Sequence, residues 1–218
     1  MNKRPPPGRP KADAPPRGAD AEGVLGVQRV GLFGGTFDPV HSAHVALAQA
    51  ALAEFALDQV RWIPTGQPWQ KERAITPAVH REAMVRLAIQ GEPRFALDRI
   101  ELEREGPSYT LDTVRQLAAA HPATEWLLII GQDQYAALHT WRDWQTLLSL
   151  VTLAVANRPG PPRAAAAEVQ AFAHRAVPLA MLDISSTDIR HRVAHGKDIS
   201  QLVPPQVARY IETHGLYR

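Results

Sequence analysis

Leu127, Leu128, Ile129 and Ile130 follow one another without a polar break, between Trp126 and a glycine. A run of branched aliphatics this short and continuous suits a strand buried on both faces, which requires a sheet covered by helices on each side. The rest of the chain repeats that demand. Short apolar runs at Arg29–Phe33, Gln59–Ile63, Phe95–Leu97, Trp126–Ile130, Thr152–Ala156 and, more weakly, Pro178–Leu182 read as strands. Helical patterns lie between them at His44–Leu57, Pro77–Gln90, Thr110–His121, Trp144–Leu148 and Ala164–His174, with Ser186–His195 and Pro205–His214 after them. This alternation predicts an α/β fold: a doubly wound, Rossmann-like parallel sheet of about five to six strands, helices on both faces and a helical C-terminal part. Ligands of such sheets bind outside the carboxyl ends of the strands, where the strand order reverses.

Composition narrows the chemistry. The chain has no cysteine, which excludes disulfides, thiolate metal sites and cysteine nucleophiles. No stretch approaches the roughly 18–20 apolar residues of a membrane span. The first 23 residues hold Lys3, Arg4, Arg9, Lys11 and Arg17 against Asp13, Asp20 and Glu22, which accounts for the whole formal charge of +2. The remainder is neutral and lacks the basic face of a nucleic-acid-binding domain. Residues 1–27 are expected to be a disordered Pro/Arg-rich extension without the apolar segment of a secretory signal, so a cytoplasmic location is expected. Residues 28–218 are expected to form a single domain. A homo-oligomer is compatible with the sequence.

The chemistry concentrates where the first strand ends. Residues 33–44 read Phe-Gly-Gly-Thr-Phe-Asp-Pro-Val-His-Ser-Ala-His. A strand stopping in a glycine turn before a helix leaves free N–H groups and a positive dipole end, which suit a phosphate. Glycine permits backbone angles and close approaches that a Cβ blocks. His41 and His44, spaced i, i+3, share one face at the helix start. As imidazolium groups they would stabilise charge growing on a phosphate during in-line displacement. The same pair also fits a solvent-facing cluster or a metal site. Neither the dinucleotide fingerprint nor the P-loop occurs.

A second cluster, Ile184-Ser185-Ser186-Thr187-Asp188-Ile189-Arg190, opens another helical pattern. Taken alone, Ser185 or Ser186 is an ordinary N-cap. Beside the first cluster it reads as a second phosphate cradle, with hydroxyls for oxygens and an arginine for charge.

Together the two clusters resemble the bacterial nicotinate-nucleotide adenylyltransferases of the nucleotidyltransferase superfamily. Their first signature, Gly-Gly-Thr-Phe-Asp-Pro-x-His-x-Gly-His, is matched by residues 34–44 except that Ala43 replaces a glycine. Their second, Ile-Ser-x-Thr-x-Ile-Arg, is matched in full by residues 184–190. The likeness runs from Val30 to Arg218 and includes Pro107-Ser108-Tyr109-Thr110, Ile130-Gly131-Gln132-Asp133, Thr140-Trp141, Arg158-Pro159-Gly160 and Gly215-Leu216-Tyr217-Arg218. Pantetheine-phosphate adenylyltransferases and cytidylyltransferases usually carry a residue other than histidine at the position of His41.

The resemblance implies transfer of AMP from ATP to nicotinate mononucleotide, giving nicotinate adenine dinucleotide and pyrophosphate. It implies His41 and His44 as catalytic residues, with Gly34, Gly35, Thr36 and Phe37 beside the nucleotide. Ser185, Thr187, Arg190 and Arg158 would hold phosphates, and Asp133 would lie near the ribose. Thr110 and Trp141 would line the nicotinate pocket, and Lys71 would approach the substrate phosphate. Mg²⁺ would arrive on the ATP phosphates, with no metal site in the protein itself. The loop around Lys71 departs from the family pattern: Trp69-Gln70 stands where proline and histidine are usual. A nucleotide-binding sensor without turnover is the competing reading, favoured by Ala43 and that loop.

Overall fold

Parallel pairing organises the chain. The computed structural model describes residues 27–67, 75–156, 165–179 and 182–218. Among the described residues six strands are present: β1 (Gln28–Gly35), β2 (Gln59–Pro64), β3 (Phe95–Leu97), β4 (Thr124–Ile130), β5 (Thr152–Ala156) and β6 (His174–Val177). They form one sheet in the order β3-β2-β1-β4-β5-β6, every pair parallel. The chain therefore winds outward from β1 in one direction and from β4 in the other. The β1/β4 seam, with Leu32 opposite Leu128, is the switch point.

The helices are α1 (Ser42–Glu54), α2 (Ala78–Ile89), α3 (Thr110–Ala120), α4 (Gln132–Ala136), α5 (Trp144–Leu150), α6 (Ala167–Gln170), α7 (Ser186–Ala194) and α8 (Pro205–Thr213). The continuous apolar run of β4 divides between two cores, as its pleat requires. Leu127 and Ile129 join a cluster with Leu47 and Ala48 of α1, Met84 and Val85 of α2, Ile189 of α7 and Val207 and Ile211 of α8. Leu128 and Ile130 join another with Leu111, Val114 and Leu117 of α3 and Trp144 and Leu147 of α5. Helices thus cover both faces of the sheet.

Three local expectations differ from the structure. The sixth strand among the described residues lies at His174–Val177, with only Val177 buried; of the expected Pro178–Leu182, residues 180 and 181 lie outside the described residues. Such an exposed edge strand carries little apolar alternation to read. The expected Ala164–His174 helix shrinks to the single turn Ala167–Gln170, anchored by the buried Val169. The helix expected from His44 starts at Ser42. Short α4 and a 3-10 turn at Leu138–Thr140 were not apparent from periodicity, being barely more than a turn each. Residues 1–26 of the expected extension, Lys71 and Arg158 lie outside the described residues.

Candidate active site

β1 delivers its carboxyl end, Gly34 and Gly35, to the mouth of the switch point. Above it lies a cavity of about 490 Å³ lined by β1, the β1–α1 turn and the starts of α1, α3, α4 and α7. Gly34, Gly35, Thr36, Phe37, His41, His44, Thr110, Asp133, Trp141 and Ser185 all line it. The two sequence clusters, separated by most of the chain, thus meet around one space.

The turn has a structure different from a glycine loop. Neither Gly34 nor Gly35 has positive φ; the left-handed residue is Phe37, at φ 50°. At Gly35 the constraint is packing instead: a Cβ there would lie about 3.0 Å from the Phe37 ring, which would have to shift. That ring packs edge-on against Phe33 and His44, with centroids 5.6 and 5.2 Å away.

His41 is the N-cap of α1 and His44 its third residue, so the pair brackets the first turn. The His41 backbone N–H donates to His44 Nδ1 at 3.1 Å. A neutral His44 therefore carries its proton on Nε2. The two rings stack with centroids 3.5 Å apart and planes inclined by 22°. His41 is 6% exposed, and its Nδ1 is buried without a hydrogen-bond partner. Burial lowers its pKa to about 4. Without a bound nucleotide this ring is uncharged at neutral pH, in contrast to the imidazolium expected for it, because burial among protein atoms disfavours the charged form. Ala43, between the two histidines in sequence, is the second residue of α1 and has no positive φ. Alanine therefore meets no conformational penalty at the position where the family signature has glycine.

α7 reaches the same turn from the other side. Ser185 caps α7, its Oγ accepting from the Asp188 N–H at 3.1 Å, so the plain capping role holds for this residue. Ser186 Oγ donates to the Pro39 carbonyl at 2.9 Å. Arg190 donates to the Asp38 carbonyl at 2.7 Å and to Thr187 Oγ1 at 3.1 Å. These bonds tie the second cluster to the first.

On the far side, Thr110 opens α3 and Asp133 lies in the first turn of α4. Trp141 packs against the α3–α5 core, with its indole Nε1 buried and without a hydrogen-bond partner. Arg142 stacks over the Tyr109 ring at 4.8 Å and pairs with Asp112 at 3.5 Å. Glu101 is buried against the cavity, where Thr113 Oγ1 donates to it at 2.9 Å, and burial raises its pKa.

Arg81 is the site-building residue that the sequence reading missed. It is 2% exposed, and its guanidinium donates to the carbonyls of Thr76, Thr36 and Thr65 at 2.9, 3.0 and 2.8 Å. The loops after β1 and β2 are therefore stitched together by one buried cation, its pKa lowered by burial against the raising effect of Asp38. The available signal was its register: Arg81 precedes Met84 and Val85 by three and four residues, on the core face of α2. Among the described residues, no group of three or more His, Cys, Asp or Glu side chains is gathered as a metal site would need. No described helix is long and apolar enough to cross a membrane.

Ser185 and Ser186 of the second cluster line the cavity, whereas Thr187 and Arg190 lie outside its lining. A switch-point cavity with a histidine-bearing helix start on one wall and a hydroxyl-bearing helix start on the other suits a nucleoside triphosphate, and that is the nucleotidyltransferase class. Residues 32–192 match the cytidylyltransferase-like family model. A protein of Bordetella petrii named probable nicotinate-nucleotide adenylyltransferase is 52% identical over 199 residues, 88% of this chain and 100% of that one. One of the same name from Methylibium petroleiphilum is 48% identical, covering 87% and 92%. The chain belongs to the cytidylyltransferase-like family and, within it, to the nicotinate-nucleotide adenylyltransferases. The fold agrees with that of a Plasmodium falciparum nicotinic acid mononucleotide adenylyltransferase solved with NaAD. It gives a TM-score of 0.73 at 18% identity, over 87% of this chain and 97% of that one.

Proposed function

We propose that AMP transfer from ATP to nicotinate mononucleotide is carried out in the switch-point cavity by the residues that the two clusters bring together. The observation that carries this reading is the pair of bonds, Ser186 to Pro39 and Arg190 to Asp38, that draws α7 onto the β1–α1 turn. The mononucleotide's phosphate oxygen attacks the α-phosphorus of ATP in line, the bond to the bridging oxygen breaks, and pyrophosphate leaves. No general base is needed, because a phosphate monoester is already largely ionised near neutrality.

His44 presents its Nε2–H to a phosphate oxygen, its tautomer set by the His41 backbone. His41 acts as a neutral hydrogen-bonding ring in a dry position. Thr187 and Arg190 hold the β- and γ-phosphates, with Ser185 and the open end of α7 beside them. Asp133 takes the ribose, and Thr110 and Trp141 flank the pyridine ring. Lys71 and Arg158, outside the described residues, are assigned to the substrate and ATP phosphates by family likeness alone. Mg²⁺ on the triphosphate supplies further neutralisation of charge. Residues 28–218 act as one domain, in the cytoplasm where these charged substrates are held.

The test is pyrophosphate release from Mg²⁺-ATP with nicotinate or nicotinamide mononucleotide at equal concentration. Turnover with the acid is expected, falling by about 10²–10³ in kcat for His44→Ala. ATP binding without product, or near-normal turnover of a folded His44→Ala, overturns the reading.

A further inference from the structure

The turn from Thr36 to His41 does not hold itself. Phe37 sits at φ 50°, a sparsely populated conformation for a bulky residue, which persists only where the surroundings over-determine it. Phe33 and His44 pack on its ring, but the hydrogen bonds that hold the turn's carbonyls come from far along the chain. Arg81 takes the Thr36 carbonyl, Arg190 the Asp38 carbonyl and Ser186 the Pro39 carbonyl. The Asp38 side chain, 1% exposed, accepts from the hydroxyl of Tyr217 at 2.8 Å, across 179 residues.

Tyr217 is built for this contact. It is also left-handed, at φ 66°, and its ring packs on the core formed by α1, α2, α7 and α8. α8, which precedes it, is tied to α2 by the 2.9 Å contact between Tyr210 and His80, next to Arg81. Burial and the Asp38 carboxylate push the phenol's pKa upward, so it remains a donor throughout the working pH range. Asp38 lies in the field of buried Arg81, while its own backbone carbonyl is bonded to Arg190. Without the phenol, the buried carboxylate loses a neutral donor and is drawn toward these cations. Arg190 is the group assigned above to the β- and γ-phosphates, and the backbone that would move carries His41.

We propose that Tyr217 is a positioning residue for adenylyl transfer: its hydroxyl, acting through Asp38, fixes the Phe37–His41 turn and so the placement of His41, His44 and Arg190 on the triphosphate. This rests on the reading under Proposed function.

The test is steady-state kinetics and thermal unfolding of Tyr217→Phe, which keeps the ring and removes only the hydroxyl. A kcat about tenfold lower is expected, with KM for ATP and for nicotinate mononucleotide within twofold, because misplacement costs the transition state more than the ground state. The thermal midpoint stays within a few degrees. Asp38→Ala reproduces the fall in kcat, and adding Tyr217→Phe to it lowers kcat less than a further twofold. A Tyr217→Phe enzyme with wild-type kcat overturns the proposal, as does a loss confined to KM. Fully multiplicative losses in the double variant overturn the route through Asp38. If the wild type itself releases no pyrophosphate, the functional reading and this proposal fall together; an active wild type matched by Tyr217→Phe removes the proposal alone.

Discussion

Acidification forces a proton onto His41, and the structure sets what that costs. In the unfolded chain the imidazole titrates near pH 6.5, and in the folded site burial holds it at about 4. Between these values the unfolded state binds more protons than the native state, so stability rises with pH across the window and is lost as pH falls. The difference of about 2.5 between the two pKa values, at about 1.36 kcal/mol each, is worth about 3 kcal/mol once the pH is below both. The control is His41→Asn, which does not titrate; any capping bond that the new amide adds shifts stability equally at every pH and leaves the slope unaffected. Urea unfolding of both proteins, followed by circular dichroism from pH 7 down to 4, isolates this residue because every other acid-sensitive group is shared. The wild type is expected to lose about 2–3 kcal/mol more than the variant over that range, with most of the divergence below pH 6. Parallel stability curves would refute the argument, showing that the folded site accommodates the charged ring and that His41 is available as a cation.

Arg81→Met removes the guanidinium joining the loops after β1 and β2 and leaves the carbonyls of Thr36, Thr65 and Thr76 without that donor. A loss of about 3–5 kcal/mol is expected in urea unfolding, against a far smaller change if those loops were self-supporting. Ala43→Gly is expected to leave kcat and KM within twofold and to lower stability by about 0.5–1 kcal/mol, since position 43 is already helical. A tenfold rise in kcat/KM would show that the methyl crowds the phosphate. Gly66→Ala drives a Cβ into the Glu101 carbonyl and to 3.2 Å from Ser108 Oγ, both of residues that line the switch-point cavity. It is expected to cost about 1–3 kcal/mol, read as a lower thermal midpoint.

What the chain alone determined was whatever depends on period and neighbours. Leu127–Ile130 demanded a sheet covered on both faces, and the division of those residues between two cores is how the demand is met. The strand–turn–helix at residues 33–44 and the hydroxyl-rich start of α7 were legible because turn chemistry and caps are local. His174–Val177 was not, because an exposed edge strand has no buried face to write into its sequence. Tertiary structure alone decided the charge on His41, since protonation follows desolvation and desolvation is a property of everything packed around the ring. It also decided that Phe37, rather than a glycine, takes the left-handed turn, and that Arg81 and Tyr217 brace that turn from distant parts of the chain. Periodicity can mark a residue as core-facing, but which carbonyl or carboxylate it meets there is set by how the elements pack.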